Sequence, residues 1–358
     1  MGRDWRVDTL RGYFLVAMTL GHFPNPVAPF TEYTFGYASS PDGFVFLSGL
    51  VSSWVYLPLR NSRGVSAMAA KVYRRAGTIY LTHMLLVTVA LLVALNPGPF
   101  AHRVVHPLQT FLAGALLWNQ GGFDRILPMY CVFLAITPVV FKQFTAGRAW
   151  LVGLISASLW MGAQFGIGDT PAEAMDVAPA GFNLCAWQAY FVAGQYLGFR
   201  GLAPAENRAR KSWAILIACS AAALVLLVDR HSALFGRNPL LGFTGHPDHN
   251  PVRFLDAACL GYLLWRIPRG LDLIAAKLRF FQFLNLLGRH SLQVFAFSML
   301  ITRFEAHAIN SFSWLGKLVV ALLTVLTLAI PALVHQSLRK RRQQMSVIAP
   351  EAVTVLPA

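Results

Sequence analysis

The chain of 358 residues is 56% hydrophobic and 13% charged, with a mean hydropathy of +0.53. A soluble domain carries roughly twice that charge, and here apolar runs recur from end to end, which excludes a soluble globular fold. The formal net charge of +15 would suit nucleic-acid binding, but the basic residues alternate between successive loops and read instead as a topology signal. No nucleic-acid partner is expected.

The first eight residues are charged and precede an apolar run that contains Arg11 and His22 and has no small-residue cleavage site. That run, 9–27, reads as a membrane span rather than a signal peptide. Further spans are predicted near 42–59, 77–96, 126–141, 149–166, 184–199, 212–228, 253–268, 285–302 and 314–336. A helix needs about 20 residues to cross a ~30 Å hydrocarbon core. A shorter apolar piece at 104–118 is interrupted by His106 and Pro107. The expected fold is an all-α bundle of about ten transmembrane helices.

With a cytoplasmic N-terminus, most of the 30 basic residues fall on the inside, at 3–11, 60–76, 142–148, 200–211, 266–279 and 339–342. This is the positive-inside pattern. Were 104–118 a full span, every later loop would invert, so it is expected to be re-entrant or interfacial. The segments 60–76 and 200–211 are then cytoplasmic loops, and both termini are cytoplasmic. Residues 1–338 read as one transmembrane domain and 339–358 as a basic tail with a disordered end. Cys131, Cys185, Cys219 and Cys259 each sit in an apolar run, which argues against a disulfide framework or a zinc site. No metal site is expected.

Ionisable residues inside spans are costly and are functional candidates. Arg11 and His22 are eleven helical steps apart, a rotation of about 1100° and a rise of about 16 Å, so both lie on one stripe. A snorkelling arginine and a packed histidine fit the same spacing. Asp42 opens the second span. A carboxylate beside an imidazole can fix its tautomer, and Asp42 can equally cap its own helix. Lys71, Arg74 and Arg75 form a cytoplasmic cluster that can hold phosphates or simply set topology. Asp8, Asp124, Gln188, Asp256, Arg289 and His290 are further polar groups at or inside span ends. The chain has no Gly-rich phosphate loop, no nucleophile elbow and no H-E-x-x-H.

The stretches RDWRVDTLRGYFLVAMTLGHF at 3–23 and DGFVFLSG at 42–49 resemble the OpgC-type membrane acyltransferases, named for succinylating osmoregulated periplasmic glucans and related to the acyltransferase-3 superfamily. DRILPMY at 124–130, FNLCAWQAYFVAGQYLG at 182–198, NPVRFLDAACL at 250–260 and LGRHSLQVF at 287–295 extend the resemblance over nearly the whole chain. The superfamily's arginine–ten residues–histidine signature falls on Arg11 and His22, and the resemblance implies that His22 is catalytic. Asp8 matches the acidic position of the opening motif. Asp42 stands where relatives carry a glutamate, Thr78 where they often have a second spaced arginine, and Ser298 where they often have a histidine.

The implied function is transfer of a succinyl or acetyl group from cytoplasmic acyl-CoA to hydroxyls of an extracytoplasmic glycan, in the inner (plasma) membrane. His22 is the expected general base, held by Asp42. The donor phosphates are expected near Arg11, Arg74 and Arg75, and Arg289 is expected to stabilise an oxyanion or a succinyl carboxylate. Acyl-CoA serves as a substrate and no cofactor is bound permanently. Membrane lipids, the donor and the glycan are the expected partners. A transporter or flippase without transfer chemistry is the alternative.

Overall fold

The computed structural model describes residues 4–32, 34–95, 107–117, 126–168, 183–201, 213–232, 250–266 and 276–352. Every regular element among them is helical. The helices are α1 (Trp5–Gly21), α2 (Ala28–Glu32), α3 (Ser40–Leu95), α4 (Pro107–Ala115), α5 (Ile126–Thr145), α6 (Ala149–Ala163), α7 (Leu184–Gly201), α8 (Trp213–Ser232), α9 (Pro251–Arg266), α10 (Arg279–Arg289), α11 (Ser291–Ala308), α12 (Trp314–Thr327) and α13 (Ala329–Ala352). They fall into two compact units, one of residues 28–269 and one of residues 3–27 with 270–358.

Four helical stretches among the described residues are long and apolar enough to cross a membrane: Ser40–Val93, Ile126–Thr145, Trp213–Ser232 and Trp314–Arg341. Ala149–Ala163 is a shorter apolar helix. Large apolar side chains stand exposed along them, among them Ile217, Leu224 and Val228 on α8 and Leu315, Leu322 and Leu326 on α12. Such a surface belongs in lipid rather than water, and the chain is a membrane protein.

Local sequence explains the helix ends. Asp4 caps α1 by accepting from the Arg6 N–H at 2.9 Å. Asn183 caps α7 by accepting from Cys185 and Ala186. Asn250 caps α9, accepting from the Arg253 N–H at 2.7 Å, with Pro251 at the first helical position, where its missing N–H costs nothing.

Two expectations change. The segment 60–76, read as a loop, continues as helix on both sides of a single break at Gly64, whose φ of 84° suits glycine. Its polar residues lie on one face while Met68 and Val72 are fully buried on the other, so polarity there marks an amphipathic helix. The tail is helical as far as Ala352. At 104–118 the described helix α4 has nine residues, a rise of about 14 Å, which is under half the hydrocarbon thickness. Tyr80 and His83 of α3 reach its C-terminal carbonyls, Ala115 O at 3.0 Å and Gly114 O at 3.1 Å.

In the first unit α3 packs on α5 and α7, and its contact with α7 is backbone to backbone. A Cβ on Gly49 would lie 2.0 Å from Phe191 O, and one on Gly194 2.1 Å from Phe46 O. Small residues allow this approach, and the Ser53 hydroxyl donates across it to Gln195 O at 2.7 Å.

Candidate functional site

In the second unit α1 crosses α10 at similarly close range. A Cβ on Gly12 would lie 1.8 Å from Leu284 O, and one on Gly288 1.7 Å from Asp8 O. The opening motif and the LGRHSL stretch therefore meet backbone to backbone, with Asp8 buried between them. Asn285 fastens the crossing by donating to Trp5 O at 3.0 Å and to the Thr9 hydroxyl at 3.3 Å. Beside it the Arg11 Nη2 donates to the Ser291 hydroxyl at 2.6 Å.

His22 is the C-cap of α1 and is half-buried. Its Nδ1 is hydrogen-bonded to the carbonyl of Met18, one turn back. A carbonyl only accepts, so Nδ1 carries the proton and the lone pair of the neutral ring sits on Nε2. The turn that follows is fixed by Asn25, whose amide donates to Leu20 O at 2.7 Å and Phe23 O at 2.9 Å while its oxygen accepts from the Val27 N–H at 3.0 Å. Leu20 and Phe23 pack with Ile309 and Ala321. The imidazole is thus held in one tautomer on a braced turn, as a general base requires.

The same unit contains a second histidine contact. His290 Nδ1 lies 2.8 Å from His335 Nδ1, with the rings edge to face. His335 was not singled out by sequence; it sits in an apolar run with no motif around it. Arg289, expected within a span, is exposed at the end of α10.

In the first unit Asp42 is completely buried and meets Arg253 of α9, Nε to Oδ2 at 2.6 Å and Nη2 to Oδ1 at 3.0 Å. Asp42 also accepts from the Ser39 N–H at 2.8 Å, the reach-back of a capping box from the third residue of α3. Arg253 donates further to the Ser39 hydroxyl at 2.5 Å and stacks 5.5 Å from the Trp187 ring centroid. Its neighbour on α9, Asp256, accepts from the N–H groups of Tyr37 at 2.6 Å and Ala38 at 2.9 Å. Tyr37 donates its hydroxyl to Asp229 of α8 at 2.5 Å. These contacts tie the segment before α3 to α8 and α9. The expectation that Asp42 caps its helix meets this geometry, and both its oxygens are engaged by Arg253. Arg253, Asp229 and Tyr37 were not foreseen as partners; NPVRFLD, already quoted for its resemblance, held the signal for Arg253.

The remaining candidates are placed as follows. Arg74 is exposed and Arg75 half-buried on α3, and Gln188 of α7 is held by Ser156 of α6. Asp124 lies outside the described residues. Among the described residues no group of three or more His, Cys, Asp or Glu is arranged to hold a metal.

A family model described as OpgC protein matches residues 3–340. The chain belongs to the OpgC family. For this OpgC-family chain, a search of curated proteins and a search of solved structures returned no match. Family membership points to a transferase that modifies glucan by acyl transfer. It also gives the conjunction of Arg11, Ser291, His22 and the α1–α10 crossing a chemical context.

Proposed function

We propose that this chain transfers an acyl group from cytoplasmic acyl-CoA to a hydroxyl of an extracytoplasmic glycan, with His22 as general base. The bundle has about ten spans in the inner (plasma) membrane, with both termini cytoplasmic, as the alternation of basic segments supports. His22 Nε2 removes the proton of the acceptor hydroxyl, and the oxygen attacks the thioester carbonyl. The carbonyl carbon then expels the thiolate, which takes the proton back from His22. Throughout, Met18 O keeps the Nδ1 proton in place, the part a carboxylate plays in a hydrolase triad. Asp42, committed to Arg253 and Ser39, acts as a positioning residue for the start of α3.

Arg11, Arg74 and Arg75 are the donor-binding residues in this reading. The observation that carries the proposal is the Nδ1–Met18 contact on a braced turn in an OpgC-family chain. Mass spectrometry of envelope glycans from cells with and without the protein tests it. A succinyl or acetyl increment present only with the protein is the expected result, and identical glycans in both strains would refute it.

A further inference from the structure

We infer that the start of α10 is a docking surface for an anionic phospholipid, with Lys277 and Arg279 against the headgroup and Leu278 and Phe280 at the edge of the acyl chains.

Lys277 and Leu278 directly precede α10, and Arg279 and Phe280 open it; all four are exposed. By helical spacing Phe280 belongs to one stripe with Leu284 and Leu287, four and seven positions on. Those two are buried, and the Leu284 carbonyl lies against Gly12 of α1, whereas Phe280 is 63% exposed. The apolar stripe thus outlasts its cover. Among the described residues neither Lys277 nor Arg279 forms an ion pair. Unopposed cations are costly inside hydrocarbon, and large exposed apolar side chains do not belong in water. Interleaved on four successive residues, they fit the boundary where headgroups meet acyl chains. Trp5 of α1 lies at the same place, its ring centroid 6.4 Å from that of Phe281, and tryptophan is enriched at that boundary.

The end of α13, in the same unit, shows the same change of surface. Leu333, Val334 and Leu338 are exposed, and the exposed Arg339, Lys340 and Arg341 follow, again with no ion pair among the described residues. With these cations unopposed, charge complementarity favours an anionic headgroup over a zwitterionic one. Each Lys or Arg near a membrane surface strengthens such attraction about fivefold.

The test is tryptophan quenching in the purified full chain, reconstituted in phosphatidylcholine bilayers with rising fractions of brominated phosphatidylglycerol. Brominated phosphatidylcholine is the reference lipid. The Trp5 contribution is the difference between each protein and its Trp5→Phe counterpart. In the wild type Trp5 should be quenched at a lower fraction of the anionic lipid than of the reference. Lys277→Gln with Arg279→Gln should raise the fraction needed by about fivefold or more. Arg279→Lys, which keeps the charge, should change it little. High salt should weaken the wild-type preference and leave the neutralised variant nearly unaffected. Should the double variant fail to fold, the lipid preference and its salt dependence in the wild type decide the matter.

Equal quenching of wild-type Trp5 by the two lipids would overturn the docking surface. So would an unchanged preference in a folded double variant. Displacement of phosphatidylglycerol from this place by coenzyme A would reassign the cations to donor phosphates and overturn the lipid assignment.

Discussion

In the unit of residues 28–269, Asp42 and Arg253 cancel each other's charge where solvent hardly reaches, and Ser39, Trp187 and the cap of α3 complete the enclosure. In the other unit Arg11 meets a serine hydroxyl and His290 meets another histidine. The difference lies in the chemistry of the contacts. A guanidinium paired with a carboxylate at two points is used up in holding helices, and removing either partner strands a buried charge. The first arrangement ties helices of its unit together through an ion pair, and the second ties α1, α10, α11 and α13 through polar hydrogen bonds.

The glycine crossings offer the strongest way to break this comparison, since both units depend on them. Gly288→Val places a Cβ at 1.7 Å from a backbone oxygen, which no side-chain motion relieves. The expected outcome is loss of the monodisperse, detergent-soluble species on size-exclusion chromatography. A well-folded Gly288→Val protein would mean that α1 and α10 do not approach as described.

Next in size is the buried ion pair. Asp42→Ala removes the carboxylate that Arg253 meets at two points and should cost about 3–5 kcal/mol. The double variant Asp42→Ala with Arg253→Met should recover part of that loss, measured by thermal unfolding in detergent. Additive losses would show that the two residues act separately.

A smaller effect is expected from Asn25→Ala, which removes the side-chain bonds bracing the turn after His22. Each such bond contributes about 1 kcal/mol. Stability should fall modestly, and turnover should fall more than donor affinity, because the base is misplaced while the phosphate end of the site is untouched. Equal loss in both would place Asn25 in general folding rather than in positioning.

The helices are most legible in the sequence where hydropathy and helix length coincide. The runs beginning at 126, 149, 184 and 212 correspond to α5, α6, α7 and α8 within a few residues. They are least legible at 60–76, where exposed arginines and serines disguise a helix whose buried stripe there is Met68 and Val72. Arg11 and His22 stood out because their spacing lies within one helix. The Met18 carbonyl that fixes the His22 tautomer did not, since a backbone contact depends on a rotamer. The Asp42–Arg253 pair joins positions 211 residues apart, a distance no local pattern encodes. His335 was invisible for a related reason, because its partner His290 lies on another helix.

The most direct test of the central claim is acyl transfer by membrane vesicles containing wild-type or His22→Ala protein, supplied with labelled acyl-CoA and the glycan acceptor. The account predicts a fall of about 10²- to 10⁴-fold in rate, the usual contribution of a general base, with membrane insertion and coenzyme A affinity unchanged. Wild-type rates from a folded His22→Ala protein would contradict it.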